Sequence, residues 1–206
     1  MRRNLITIIF RLFFQGVILQ FSDYTEIIDN CSLCLTGLKP ANLFCTKSEN
    51  LYFFYKLKPQ LNEKGIFFEI LLNCDKKVQI LVYRKKMIKT LFQQISYKNA
   101  LSYFGYSNNC SIEKYIECLK KKIIDAANTK EKCFPNEIGL FLGYPVKDVL
   151  AFDSMGGEKA ICSGYWKVYH DKEQALTTFN MYDKYKKKFK KELNQGQNLL
   201  TILKLA

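Results

Sequence analysis

The sequence predicts an α/β protein of the α+β type, with one small mixed or antiparallel sheet covered by helices and closed by a long C-terminal helix. Three observations carry this. Ile66–Asn73 (IFFEILLN) and Val78–Arg84 (VQILVYR) are rich in aliphatic and aromatic residues and separated by Cys74 to Lys77, the pattern of a β-hairpin. On either side, apolar residues recur at helical spacing. Lys172 to about Leu193 forms a long amphipathic repeat, with Asp171 placed to cap it. At 206 residues, 48% hydrophobic and 15% aromatic, the chain has ample material for a core, which excludes a disordered protein.

The elements follow in order. Residues 1–20, MRRNLITIIFRLFFQGVILQ, begin like a signal peptide, but Arg11 interrupts the apolar run and no small-residue cleavage site follows. They are also short for a membrane span. They are read as a hydrophobic appendage or upstream sequence, with 21–206 as a single globular domain and no transmembrane span. Ser22 and Glu26 mark a helix start, and Gly37 and Pro40 end that helix near Leu35. Asn42–Thr46 is a short strand. Glu49 to Lys64 has a helical face that Pro59 is expected to break. After the hairpin, whose turn Asp75 suits, helices are expected over Lys85–Ile95 and Asn99–Phe104. Another opens at Ser111, its face formed by Ile112, Tyr115, Ile116, Leu119, Ile123 and Ile124. Short helices over Pro135–Leu142 and Pro145–Phe152 flank the turn Gly143-Tyr144-Pro145. Ala160–Ile161 and Trp166–Tyr169 read as extended, the latter as a strand of the sheet. Ala175, Leu176, Phe179, Tyr182, Tyr185 (or Lys186) and Phe189 form the inward face of the last helix.

The net charge of +13 suggests a nucleic-acid partner, yet only four of the 32 basic residues are arginine, the side chain best suited to bidentate phosphate and base contacts. A solvated lysine surface, encoded by an AT-rich genome, explains the charge as well. The eight cysteines are scattered through apolar runs, which suits reduced thiols in the cytoplasm better than a disulfide framework.

The most constrained segment is Phe134–Tyr169, FPNEIGLFLGYPVKDVLAFDSMGGEKAICSGYWKVY. It holds the only Trp and five of the ten glycines, so both backbone and side-chain packing are specified there. Together with CSLCLTGLKPANLF (Cys31–Phe44), FPNEIGLFLGYPVKDVLAF (Phe134–Phe152), SGYWKVY (Ser163–Tyr169) and the G-x-x-L at Gly196–Leu199, the chain resembles an uncharacterised bacterial family with a domain of unknown function, found mostly in anaerobic low-GC Gram-positive bacteria. The resemblance spans about Asp23 to Leu203. It implies no activity, only a hint of iron or redox physiology. This chain departs from the family pattern at Asn136, where a His is usual, and at Cys34, where a Thr-like residue is expected.

Cys31-x-x-Cys34 sits late in a helix and has no second pair, so it reads as buried thiols rather than a redox or zinc motif. His170, the only His, reads as a surface residue. The glycines form neither a dinucleotide fingerprint nor a Walker loop, and no metal or cofactor is assigned. The candidate binding residues are Glu137, Gly143, Tyr144, Trp166, Lys167 and Tyr169. Glu137 is expected to pair with Lys167, either as a structural salt bridge linking the two blocks or as the polar end of a pocket walled by Tyr144, Trp166 and Tyr169. Lys39, an exposed loop residue in the first block, joins them. Three functions follow in order. The first is a cytoplasmic, non-catalytic binding or accessory protein, with a small ligand or a protein as partner. The second is a nucleic-acid binder using Lys184, Lys187, Lys188 and Lys191. The third is an enzyme using Glu137, Lys167 or Cys162.

Overall fold

The computed structural model describes residues 29–74, 77–129 and 134–195. The expected appendage, the start of the first helix, the Asp75 turn and the segment around Gly196 lie outside these.

Helix α1 is described over 29–35 and ends in a glycine turn. Gly37 has φ +80°, and the Leu38 and Lys39 amides both donate to the Leu33 carbonyl at 2.9 and 3.0 Å. This is how a helix C-terminus satisfies carbonyls that lack intrahelical partners. Two more of those carbonyls are taken by one side chain. Arg84 Nε donates to the Cys34 carbonyl at 2.6 Å, and its Nη2 donates to that of Leu35. The guanidinium also brings positive charge to the negative end of the helix. Arg84 is the last residue of a strand, so this contact fastens α1 to the sheet.

The sheet contains β1 (Ala41–Lys47), β2 (Ile66–Cys74) and β3 (Lys77–Arg84), antiparallel in the order β1-β3-β2. Ala41 faces Tyr83 and Ile66 faces Arg84, with a bulge between Ile70 and Leu72. Both faces are covered. Leu81 and Tyr83 of the central strand point into one core cluster, and Val78, Ile80 and Val82 into another. The second cluster includes Phe54, Leu57 and Leu61 of α2 (Leu51–Glu63). Pro59 lies inside α2 and does not break it. Leu57 and Leu61 on either side are buried, and their packing outweighs the hydrogen bond that proline forfeits.

The first cluster is built from α3 (Lys85–Phe92), α4 (Ile95–Tyr103), α5 (Ile112–Asn128) and α6 (Ile138–Phe141), with Val149 from α7 (Val146–Ser154). The break between α3 and α4 falls at Gln94, which is extended, rather than after Ile95. Ile95 is 78% exposed, so no burial draws it into the preceding helix. Ser111 caps α5 as its sequence suggests, accepting from the Lys114 amide at 3.2 Å. Ile124 and Leu176, expected on buried faces, are instead exposed; of the alternatives Tyr185 and Lys186, Tyr185 is exposed and Lys186 is partly buried.

Trp166–Tyr169 does not join the sheet. Lys167–Val168 (β5) pairs with Cys162–Ser163 (β4) in a separate two-stranded hairpin. The Tyr169 and His170 amides, which a longer ladder would need, are taken by the Asp148 carboxylate. The hairpin packs through Val168 and Trp166 on Ala175 and Phe179 of α8 (Lys172–Asn194). Further along α8, Phe189 enters the second core cluster.

Replacing Arg84 by Lys keeps the charge but loses the fork. It is expected to lower unfolding free energy by about 1–3 kcal/mol in urea titration, and an unchanged midpoint would show that the clamp contributes nothing.

Candidate functional site

Two close approaches bring the site together. Between α6 and α7, a Cβ at Gly139 would lie 2.7 Å from Val149 Cγ2. In the turn before α7, Gly143 has φ +75°, and a Cβ there would lie 2.5 Å from the Pro40 ring. Only glycine permits both the left-handed backbone and this contact. Gly143 therefore sets the distance between the first sequence block and the second.

Asp148 on α7 is the polar centre. It is 3% exposed. Its Oδ1 accepts from the Tyr169 and His170 amides, both at 2.9 Å, and faces His170 Nδ1 at 3.3 Å. Its Oδ2 accepts from Trp166 Nε1 at 2.8 Å. A buried carboxylate is tolerated only with such partners. These bonds fix the indole, whose ring centroid lies 5.3 Å from that of Tyr144 and 4.5 Å, edge to face, from that of Phe179.

Between α6, α7 and the hairpin lies a cavity of about 280 Å³. Phe134, Tyr144, Phe152 and Trp166 give it aromatic walls, and Ile138 and Val149 add aliphatic ones. Its polar lining consists of Asn136, Asp148 and Lys167. Asn136 Nδ2 donates to Asp153 Oδ1 at 2.9 Å. Lys167 Nζ donates to the Gly157 carbonyl at 2.7 Å and lies 5.8 Å from the Phe152 ring centroid.

Of the candidate residues read from sequence, Tyr144, Trp166 and Lys167 line this cavity; Glu137, Gly143, Tyr169 and Lys39 do not. The expected Glu137–Lys167 pair is not formed. Glu137, 4% exposed, accepts from Lys122 Nζ at 2.7 Å and Tyr106 Oη at 3.3 Å. Lys122 also bonds the Phe104 carbonyl at 2.6 Å and sits 4.5 Å from the Tyr106 ring centroid. Glu137 thus holds α6 to α5, and together burial and that carboxylate push the Tyr106 phenol well above its ordinary range. Tyr169 is 9% exposed, and its hydroxyl has no partner among the described residues.

Lys39 is buried, not an exposed loop residue; 3% of it is accessible. Its ammonium lies 5.0 Å from the Tyr144 ring centroid, with no carboxylate partner among the described residues. Burial, reinforced by Lys186 and partly opposed by Cys34, lowers its pKa from 10.5 to about 8. Cys31 and Cys34 are fully buried, and burial pushes the Cys34 thiol up to about 12, the reverse of a redox-active cysteine. Cys162 is partly exposed and does not line the cavity. His170 is half exposed. Lys184, Lys187, Lys188 and Lys191 are exposed along α8.

Sequence reasoning missed Asp148. The signal lay in VKDVL, where an aspartate falls between two apolar positions of a short helix in the most constrained segment.

A family model described as a protein of unknown function (DUF3793) matches residues 27–203. The chain belongs to this family. That match takes in α1, the sheet, the cavity and α8, so the site lies within the DUF3793 unit. No curated protein and no solved structure matches the chain. Among the described residues of this DUF3793 protein, no helix is long and apolar enough to cross a membrane. No group of three or more His, Cys, Asp or Glu among them is placed to hold a metal.

Asp148→Asn replaces an acceptor oxygen with an amide that faces donors. We expect a loss of about 2–4 kcal/mol in stability and a red shift of Trp166 emission as the indole loosens. Emission identical to wild type would rule out the anchoring role. For Lys39, the folded chain has released its proton above about 8 whereas the unfolded chain holds one up to 10.5. Stability from this group therefore rises with pH across that window, by up to about 3 kcal/mol. Denaturation curves of wild type and Lys39→Met should converge as pH rises through it, with the variant the more stable at neutral pH. Parallel pH profiles would contradict the burial argument.

Proposed function

We propose that this protein is a small-molecule binding or accessory protein whose site is the cavity between α6, α7 and the β4–β5 hairpin. The supporting observation is the cavity itself, an aromatic-walled space of about 280 Å³ with a few fixed polar groups. Apolar walls with sparse, oriented polar groups are the usual make-up of a ligand site.

A catalytic role has less support. Asp148 already accepts from an indole, two amides and an imidazole, which suits an anchor better than a general base. Glu137 is paired with Lys122 behind α6. A nucleic-acid role draws on the exposed lysines of α8. Elsewhere, however, Lys85, Lys120 and Lys122 are engaged by Glu113, Glu69 and Glu137. The expected setting is the cytoplasm, a reading that rests on cysteines scattered through apolar runs rather than spaced as a disulfide framework. A tie to iron or redox physiology rests on the family resemblance alone.

The test is a calorimetric titration with 2-naphthamide, a neutral two-ring probe, followed in parallel by quenching of Trp166, the only tryptophan. Saturable one-to-one binding is expected, weakened about tenfold by Phe134→Ala or Phe152→Ala. Both rings are at least partly exposed, so the variants should fold. Binding that neither substitution weakens would place the ligand elsewhere.

A further inference from the structure

We infer that the cavity takes a planar aromatic acid of one or two rings, its ring system against Tyr144 and Trp166 and its carboxylate at Lys167. This rests on the binding role proposed above and adds the chemistry of the ligand. The size comes from the volume: about 280 Å³ is at the small end for ligand pockets, which begin at roughly 300 Å³. The planarity comes from the walls. Trp166 cannot turn away to admit a bulky aliphatic group, because its Nε1 is bound to Asp148 and its ring is wedged against Phe179. A flat ring system meets fixed aromatic walls with the least rearrangement.

The charge comes from Lys167, the only cation among the described lining residues. Its Nζ is held by the Gly157 carbonyl at 2.7 Å, which uses one of three N–H donors. A Cβ at Gly157 would lie 3.3 Å from that nitrogen, and Gly157 has φ +81°, so the loop is shaped to receive the ammonium. The other two donors have no partner among the described residues and can meet an oxyanion. Two nearby carboxylates argue for the opposite charge, a cationic ligand, but neither is open to one. Asp148 is 3% exposed and surrounded by donors, and Asp153 is bound by Asn136 and Tyr103. Among the described residues, the accessible unmatched charge is therefore positive.

The experiment compares 2-naphthoate with 2-naphthamide, which share a ring system and differ in charge, by calorimetry against wild type, Lys167→Met and Lys167→Arg. The expected result is at least about tenfold tighter binding of the carboxylate to wild type. That preference should be lost in Lys167→Met, retained in Lys167→Arg and reduced by salt. Equal affinity for both probes, or a preference that survives Lys167→Met, overturns the assignment of an acid while leaving the cavity as a binding site. If neither probe binds to wild type, the binding role fails and the acid with it.

Discussion

One buried carboxylate organises the half of this molecule that carries the cavity. Asp148 is produced by α7, but nearly all of its bonds go to the β4–β5 hairpin and its exit: an indole, two consecutive amides and an imidazole. The hairpin has two-residue strands and cannot hold itself together. It is in effect an extension of α7, attached chiefly through one side chain, with Lys167 on the Gly157 carbonyl as a second tie, and supported from behind by α8. The cavity exists because that attachment holds the hairpin beside α6 and α7 and keeps the Trp166 ring upright between them.

The two halves of the fold are stabilised differently. Around the sheet the work is done by apolar area, with β3 buried on both faces and a helix layer on each. Around the cavity it is done by a few polar contacts at low dielectric, each costly to break because a buried group would lose its partner. Arg84 and Asp148 play the same part in these two regions. Each is a charged side chain that satisfies backbone groups left over at the end of an element, and each fixes a direction that apolar packing alone would leave loose.

Much of the fold was legible in the sequence, and the reasons are specific. The β2–β3 hairpin was readable because burial on both faces demands the near-continuous apolar runs IFFEILLN and VQILVYR. The Ser111 cap and the apolar face of α5 were readable because they are local. Pro59 misled because the rule for proline is local, whereas the packing of Leu57 and Leu61 that overrides it is not. SGYWKVY looked like a strand, and part of it is, but no pattern within it reveals whether its partner is the main sheet or its own neighbour. The aromatic pair Tyr144 and Trp166 was found because bulky rings between fixed turns are conspicuous. The partner of Glu137 was not. Lys122 lies on another helix, and charge pairing across helices leaves no periodic trace.

The second core cluster also bears on how the chain assembles. It combines Cys31, Cys34 and Leu35 of α1 with Phe189 of α8, and Lys190 bonds Asp29 across a separation of 161 residues. During synthesis, one face of the finished sheet must therefore wait for nearly the whole chain to emerge. Until Phe189 arrives, a row of β-branched side chains on β3 remains incompletely covered. Such a surface is where nascent chains associate wrongly with one another. The lysine-rich helix that finally covers it carries Lys184, Lys187, Lys188 and Lys191 on its exposed side. Like charges there would keep neighbouring chains apart at that stage, giving the helix a solubilising role that its folded contacts alone do not reveal.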